Sequence, residues 1–424
     1  MQALRTVTAV EHMLIPVMDD VSPADENGRL IPVAVYLTSP EAEALLKIND
    51  KRPGFCQRAV GGVKLAQYCG IVRTASCVLE IVPKVDLGSH ADAASRGRAA
   101  LLSMLHHAER LKVSSMGSAQ QGAVHAPLLE IFIREFLLCA LDVAQTGLIS
   151  RYVPEFGDLT VVRGRFHAQG QLRHNTARPH LLHCEYDEFT VDNPYNRIIR
   201  AALDACRHWA KLASTQRLWF ELHARLTSVA QVNVKSADVR LLRYDRQTLH
   251  YRAVMQWCEW LLELASPDLR SGSSAAPALL FDMNKLFEDY VCHREELKEA
   301  ESTNIVIRQG PQRALVEQGK QAFFTLKPDV TVWTKASKDA PYSLDRIIDA
   351  KWKLLDPDSD DWGVDEADVY QMLAYSKRYR CAHLELVYPQ LADVNEGCIP
   401  PIFRIDGGES GSVTTIAVAM APLM

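Results

Sequence analysis

The sequence predicts a multidomain α/β protein with a β-rich N-terminal region, a mainly helical middle and a C-terminal mixed sheet flanked by helices. Three observations carry this. The 424 residues exceed one ordinary domain of roughly 100–200 residues. The apolar spacing is strand-like to about residue 90, helical after it, and mixed in the last third. A Ser-, Pro-, Gly- and Ala-rich stretch, Ser266–Pro277, reads as a linker between the middle and the last third.

The elements follow in order. Residues 1–95 form the β-rich region, with strands expected at Leu30–Leu37, Val63–Ala66 and Cys77–Val85 and a polar loop at Pro23–Leu30. Residues 96–265 are the helical middle. Ala99–Leu111 and Ala126–Gly147 carry apolar residues three and four apart, and Gly147 suits a helix stop. A β insertion is expected near 152–190, then helices near 194–213, 215–228 and 247–265. Residues 278–424 form one α/β unit. It has a helix over 281–298, strands near 303–310, 313–318, 321–334 and 344–353, a helix over 365–380, a strand at 383–389 and late strands over 402–420.

Composition excludes several classes. Hydrophobic residues at 48% and charged residues at 23% do not describe a disordered chain. A net charge of -5 excludes a strongly basic, charge-driven nucleic-acid binder over the whole chain. Arg151, Arg163, Arg165, Arg173 and Arg178 make one local basic stretch, open to a solvated β-surface or to a DNA or partner contact. No apolar run reaches 18 residues, and the first 20 do not read as a secretory signal. The ten cysteines contain no CxxC pair, which points to reduced thiols, a cytoplasmic chain and no structural zinc. The fourteen His show no HExxH or regular metal spacing.

The chemistry concentrates in Thr325–Tyr388. Lys327-Pro328-Asp329 ends an apolar strand, the polar loop Lys335–Ser343 suits a hairpin, and Asp349-Ala350-Lys351-Trp352-Lys353 follows on the next strand. Strand alternation puts Asp349 and Lys351 on one face, Lys353 beyond them, and Ile348, Ala350 and Trp352 on the other. Asp oxygens suit Mg²⁺, which keeps several waters and binds phosphate oxygens. A lysine beside the attacking water can orient it or help remove its proton. Asp329, Asp349 and Lys351 are therefore the candidate catalytic residues, with Asp329 and Asp349 as metal ligands. A lone D-x-K carries little; the PD, hairpin, DxK order is the PD-(D/E)XK nuclease pattern. The preceding helix offers Glu288, which the resemblance to such nucleases implies as a residue facing the metal and which is otherwise a solvated helix residue. On the following helix Gln371 and Tyr375 are four apart on one face, so Gln371 can meet a phosphate or Lys351, or simply pack.

Two look-alikes fail. Asp356–Asp361 resembles a calcium loop, but Asp361 stands where Gly is needed and Ala367 where Glu is needed, so a polar loop leading to an N-cap is expected. Gly319-Lys320 lacks a surrounding Walker A motif.

These stretches resemble the McrC family, the nuclease subunit of the 5-methylcytosine restriction system. The matching segments run in the family's order. They are Leu79–Lys84, Arg163–Arg165, Glu185–Thr190, Asp192–Arg197, Phe281–Tyr290, Lys327–Asp329, Asp349–Lys353, Tyr370–Tyr375 and Tyr388-Pro389, covering about residues 70–390. The resemblance implies a Mg²⁺-dependent DNA endonuclease with a PD-(D/E)XK fold, and Glu288 and Gln371 supporting Asp329, Asp349 and Lys351. It implies a hexameric AAA+ GTPase partner, McrB, which binds the GTP and reads the modified base in double-stranded, methylated DNA. The N-terminal region would enter that partner's pore. An autonomous nuclease and a non-catalytic regulatory subunit are the alternatives.

Overall fold

The computed structural model describes residues 5–18, 35–85, 93–108, 126–265, 277–319, 321–337, 340–390, 399–406 and 413–423. The chain forms two compact units, Met1–Leu128 with Ser271–Met424, and Leu129–Arg270. Among the described residues, no helix is long and apolar enough to cross a membrane.

The first unit opens with β1 (Arg5–Val10), β2 (Leu14–Pro16), α1 (Ser39–Leu46), β3 (Cys56–Ala59), β4 (Gly62–Leu65), β5 (Tyr68–Arg73), β6 (Cys77–Val82) and α2 (Ala93–His107). Every residue of β6 is buried, including Glu80, whose carboxylate takes the Arg98 guanidinium and the Leu128 N–H. A buried charge needs such pairing. Helix α1 was not anticipated. It begins at Thr38-Ser39-Pro40-Glu41, where Glu41 accepts the Thr38 N–H at 2.8 Å. The expected strand Leu30–Leu37 and loop Pro23–Leu30 lie mostly outside the described residues, although Leu37 bridges Val17.

The second unit contains α3 (Leu128–Thr146), β7 (Arg151–Leu159), β8 (Arg165–Phe166), α4 (Ala168–His174), β9 (Leu182–Thr190), α5 (Pro194–Cys206), α6 (Ala213–Arg225), α7 (Ser236–Arg240) and α8 (Arg252–Ala265). Phe132, Phe136, Tyr251 and Trp257 form much of its core. The Asp192–Arg197 segment has a structural task. Asn193 caps α5 through the Tyr195 and Asn196 N–H groups, Pro194 fills the first turn, and Arg197 grips Asp192 at 2.8 and 2.9 Å. In the basic stretch Arg151 pairs with Asp245, and Arg163 lies 4.4 Å over the Tyr186 ring.

The chain returns to the first unit with β10 (Ala278–Asp282) and α9 (Met283–Lys298). Then come β11 (Ile305–Arg308), β12 (Arg313–Gln318), β13 (Gln321–Leu326), β14 (Val330–Lys335), β15 (Tyr342–Ala350), α10 (Glu366–Tyr379), β16 (His383–Pro389), β17 (Ile402–Asp406) and β18 (Val413–Ala421). The expected linker lies outside the described residues except for Pro277. The strand after it completes the N-terminal sheet, whose order is β1-β6-β5-β10. Helix α9 therefore starts at Met283 and not at 281, because Phe281 and Asp282 pair with Cys69 and Tyr68. Asp282 also caps the helix through the Asn284 N–H.

Gly70 makes this junction possible. Its φ is +137°, and a Cβ there would lie 2.0 Å from the Leu279 carbonyl oxygen. Gly70→Ala is expected to cost about 2 kcal/mol or more, read as a lower urea midpoint. An unchanged midpoint would contradict the β5–β10 pairing.

The C-terminal sheet has the order β11-β14-β15-β16-β18-β17. Its centre is parallel (β15–β16–β18), and its two sides are antiparallel. Ile347, Leu386 and Ile416 from three strands meet Met372, Tyr375 and Tyr379 of α10 in one buried cluster. The single strand expected over 321–334 is broken at Lys327-Pro328-Asp329, so β12–β13 is a separate hairpin. Pro328 has no N–H for a ladder. The strand expected over 344–353 ends at Ala350.

Candidate active site

The break between β13 and β14 frees Asp329 to turn its carboxylate toward the end of β15. There Oδ2 accepts the Ala350 N–H at 2.8 Å. Asp349, one residue earlier on β15, lies opposite Leu386 in the parallel pairing and is only 2% exposed. Ile348 and Ala350 are buried as expected, whereas Trp352 is half-buried beyond the strand.

Lys351 follows the last strand residue, yet its N–H still reaches the Val387 carbonyl at 2.9 Å. Its ammonium stands 2.7 Å from Asp349 Oδ2 and 3.2 Å from Asp368 Oδ1, and donates to Gln371 Oε1 at 2.8 Å. Gln371 completes a ring by donating through Nε2 to Asp349 Oδ1 at 3.2 Å and to the Tyr375 hydroxyl at 2.8 Å. The Tyr375 hydroxyl donates in turn to the Lys327 carbonyl at 3.2 Å. An amide supplies one acceptor and two donors, so this orientation alone satisfies both an ammonium and a carboxylate.

Of the residues read from sequence, the fold brings Asp329, Asp349, Lys351 and Gln371 together. Glu288 is felt through its charge. Its own carboxyl is raised by burial and then by Asp289 and Asp349, and it helps raise Asp329. Lys353 turns away, donating to the Gly363 carbonyl at 2.9 Å and pairing with Asp365 at 2.8 Å. The Asp356–Asp361 loop is a turn closed by Asp361, which accepts the Gly363 N–H. Asp365, at the N-cap of α10, makes no side-chain cap bond. Asp368 is the member that sequence reading missed. Its spacing from Gln371 and Tyr375, three and seven residues, puts all three on one helix face and could have revealed it.

The electrostatics favour an added cation. Burial, then the charges of Asp349 and Glu288, push Asp329 up to about 8. Burial raises Asp349 as well, against the pull of Lys351. Lys351 is lowered by burial but raised more by Asp349 and Asp368, so it is held as a cation. Asp349 Oδ2, buried, accepts no aligned hydrogen bond despite the nearby ammonium. Among the described residues, no three His, Cys, Asp or Glu side chains gather closely enough to cage a metal. Two aspartates that offer only oxygen donors, Asp349 buried and Asp329 crowded by its neighbours' charges, fit a Mg²⁺ ion that keeps much of its water.

The fold and this centre define a mixed α/β protein with an Asp–Asp–Lys cluster, half-buried around the buried Asp349, at the end of a strand of its larger sheet. The chain belongs to the family described as McrBC 5-methylcytosine restriction system component, which matches residues 63–389. It is similar to a chain of the refined half-complex from the tetradecameric assembly of Thermococcus gammatolerans McrB AAA+ hexamers with bound McrC. That likeness has 17% identity, covers 98% of this chain and 94% of that chain, and has a TM-score of 0.67. A chain of the cryo-EM structure of the Thermococcus gammatolerans McrBC complex is similar at 18% identity, over 68% of this chain and 87% of that chain, with a TM-score of 0.46. The first likeness shows a shared fold. No curated protein sequence matches the chain.

Proposed function

We propose that this chain is the Mg²⁺-dependent DNA endonuclease subunit of a GTP-driven, modification-dependent restriction complex. It would act in the cytoplasm with a McrB-like AAA+ GTPase hexamer, stimulating its GTP hydrolysis and cutting double-stranded, methylated DNA. The observation that carries the reading is the convergence of Asp329, Asp349 and Lys351, bound into one network by Gln371. Family membership and the fold shared with a chain of an McrB–McrC assembly support it. The sheet β11-β14-β15-β16-β18-β17, with α9 and α10, is our candidate PD-(D/E)XK domain.

Asp329 and Asp349 would hold Mg²⁺, with Glu288 beside them. When bound, the ion neutralises phosphate charge and makes its water more acidic. Lys351, held as a cation, is suited to orient the attacking water and to stabilise charge on the phosphoryl oxygens. It is poorly suited to take a proton. Gln371 fixes the ammonium by spending its carbonyl on Lys351 and its N–H on Asp349. The reaction joins the water oxygen to phosphorus and breaks one phosphorus–oxygen ester bond. The attacking water gives up a proton to solvent, and the leaving oxygen takes one from solvent. With a net charge of -5, the chain leaves much of the DNA grip to its partner.

The test is plasmid cleavage by the purified chain with a McrB-like partner, Mg²⁺ and GTP, on methylated and unmethylated DNA. Cutting that requires partner, GTP and methylation is expected. Cutting in Mg²⁺ alone would replace this reading with an autonomous nuclease. Stimulated GTPase without cutting on either DNA would replace it with a regulatory subunit.

A further inference from the structure

Just after Lys351, the catalytic strand is tied to a residue 341 positions earlier in the chain. Trp352 donates its indole N–H to Glu11 Oε1 at 2.9 Å. Glu11 directly follows β1, its N–H bonded to the Val82 carbonyl at 3.0 Å, and it is 3% exposed. The same oxygen accepts the Lys84 N–H at 2.9 Å, which holds the carboxylate against the end of β6. Glu11 Oε2 is buried and has no hydrogen-bond partner. On its other side the Trp352 ring lies 5.4 Å from the ring of Phe287, the neighbour of Glu288 on α9.

A buried carboxyl group is costly unless hydrogen-bonded, and Glu11 Oε1 takes both the Lys84 N–H and the Trp352 indole N–H. What it holds here is the turn in which the Lys353 N–H bonds back to the Lys351 carbonyl. Lys351 keeps one last ladder bond, its N–H to the Val387 carbonyl, and beyond it the backbone leaves the sheet, so strand pairing alone does not hold the turn that follows Lys351. The indole anchor takes over that task.

We propose that Glu11 and Trp352 are positioning residues: the Glu11 carboxylate, through the Trp352 indole, holds the end of β15 so that the Lys351 ammonium stays between Asp349 and Gln371. This rests on the nuclease reading above. It also makes the N-terminal sheet part of the cutting machinery, so the C-terminal domain alone is an incomplete site.

The test uses the full chain with partner, GTP and Mg²⁺ under single-turnover conditions. Trp352→Phe removes the indole donor, and Glu11→Leu removes the acceptor. Each is expected to slow the cleavage step by roughly tenfold, since small misplacements at a reacting centre are costly. The half-saturating DNA concentration and the partner's GTPase stimulation should stay unchanged, which general misfolding would not allow. Glu11→Leu/Trp352→Phe should be no slower than the slower single variant, because the two act as one link. Glu11→Gln, which keeps an accepting oxygen, should recover most of the rate lost in Glu11→Leu.

A cleavage step within about twofold of wild type in Trp352→Phe would overturn the proposal, as would fully multiplicative losses in the double variant. Amide hydrogen exchange separates this from failure of the nuclease reading. If the unmodified complex cuts nothing, that reading falls. Faster exchange of the Lys351 and Lys353 amides in Trp352→Phe would still support the anchor, and unchanged exchange would overturn it.

Discussion

Asp349→Ala abolishes DNA cleavage and leaves stimulation of the partner's GTPase intact: this is the expected result with the largest effect. The side chain it removes accepts from Gln371 and pairs with Lys351, and it lies in the field of Glu288. Its loss removes a proposed metal ligand and lets Lys351 relax toward Asp368. Losing one member of a unit that acts together typically costs about three orders of magnitude or more. Single-turnover plasmid cleavage measures the rate, and phosphate release from GTP measures the partner. Asp349→Asn serves as a second variant that keeps the shape. Cleavage by either variant near the wild-type rate would remove Asp349 from the catalytic assignment. Simultaneous loss of GTPase stimulation would point to misfolding or to a role in partner contact.

The second large effect is a dependence of stability on pH that Mg²⁺ cancels. Burial and the like charges of Asp349 and Glu288 raise Asp329 from its ordinary 3.8 to about 8. A group raised in this way favours folding while protonated in both states. That stability is lost as pH climbs from about 4 through about 8. Asp349 and Glu288 are raised too and act in the same direction. Lys351 is raised above its ordinary 10.5, so the stability it contributes fades only at higher pH.

In EDTA, the wild-type melting temperature should therefore fall between pH 5 and pH 8.5. Asp329→Asn keeps an oxygen for the Ala350 N–H but cannot ionise, so it should fall less. The difference should be on the order of a few kcal/mol. Adding Mg²⁺ at pH 8 should raise the wild-type curve by binding the native, deprotonated site, and raise Asp329→Asn much less. Parallel curves for the two proteins, with no response to Mg²⁺, would mean that these carboxylates neither crowd one another nor hold the ion.

Asp329, Asp349, Lys351 and Gln371 were legible because each was marked by a local pattern, whereas Asp368 was not read. Asp349 and Lys351 stand two apart at the end of an apolar strand, and Lys327-Pro328-Asp329 precedes them across a hairpin loop. Gln371 and Tyr375 stand four apart on a helix, close enough to hydrogen-bond. The strand boundaries were less legible. An apolar run through 321–334 looks continuous until β12 claims β13 and Asp329 turns away to cap the end of β15. Helix α9 lost its first two expected residues to a strand whose partner, β5, lies some 200 residues earlier.

Sequence by itself determined the mixed α/β class, the family resemblance and the identities of Asp329, Asp349, Lys351 and Gln371 as one candidate group. The class follows from periodicity over a few residues, which the covalent chain imposes wherever it folds, while the resemblance and the candidate group rest on the motif segments and their order. Tertiary structure alone decided that Asp368 shares Lys351 with Asp349, that Lys353 leaves the site, that β10 closes the N-terminal sheet, and that Glu11 anchors Trp352. Those outcomes depend on which distant surfaces are buried against each other. Burial also decides the charge states, raising Asp329 and Asp349, while the two carboxylates beside it keep Lys351 a cation.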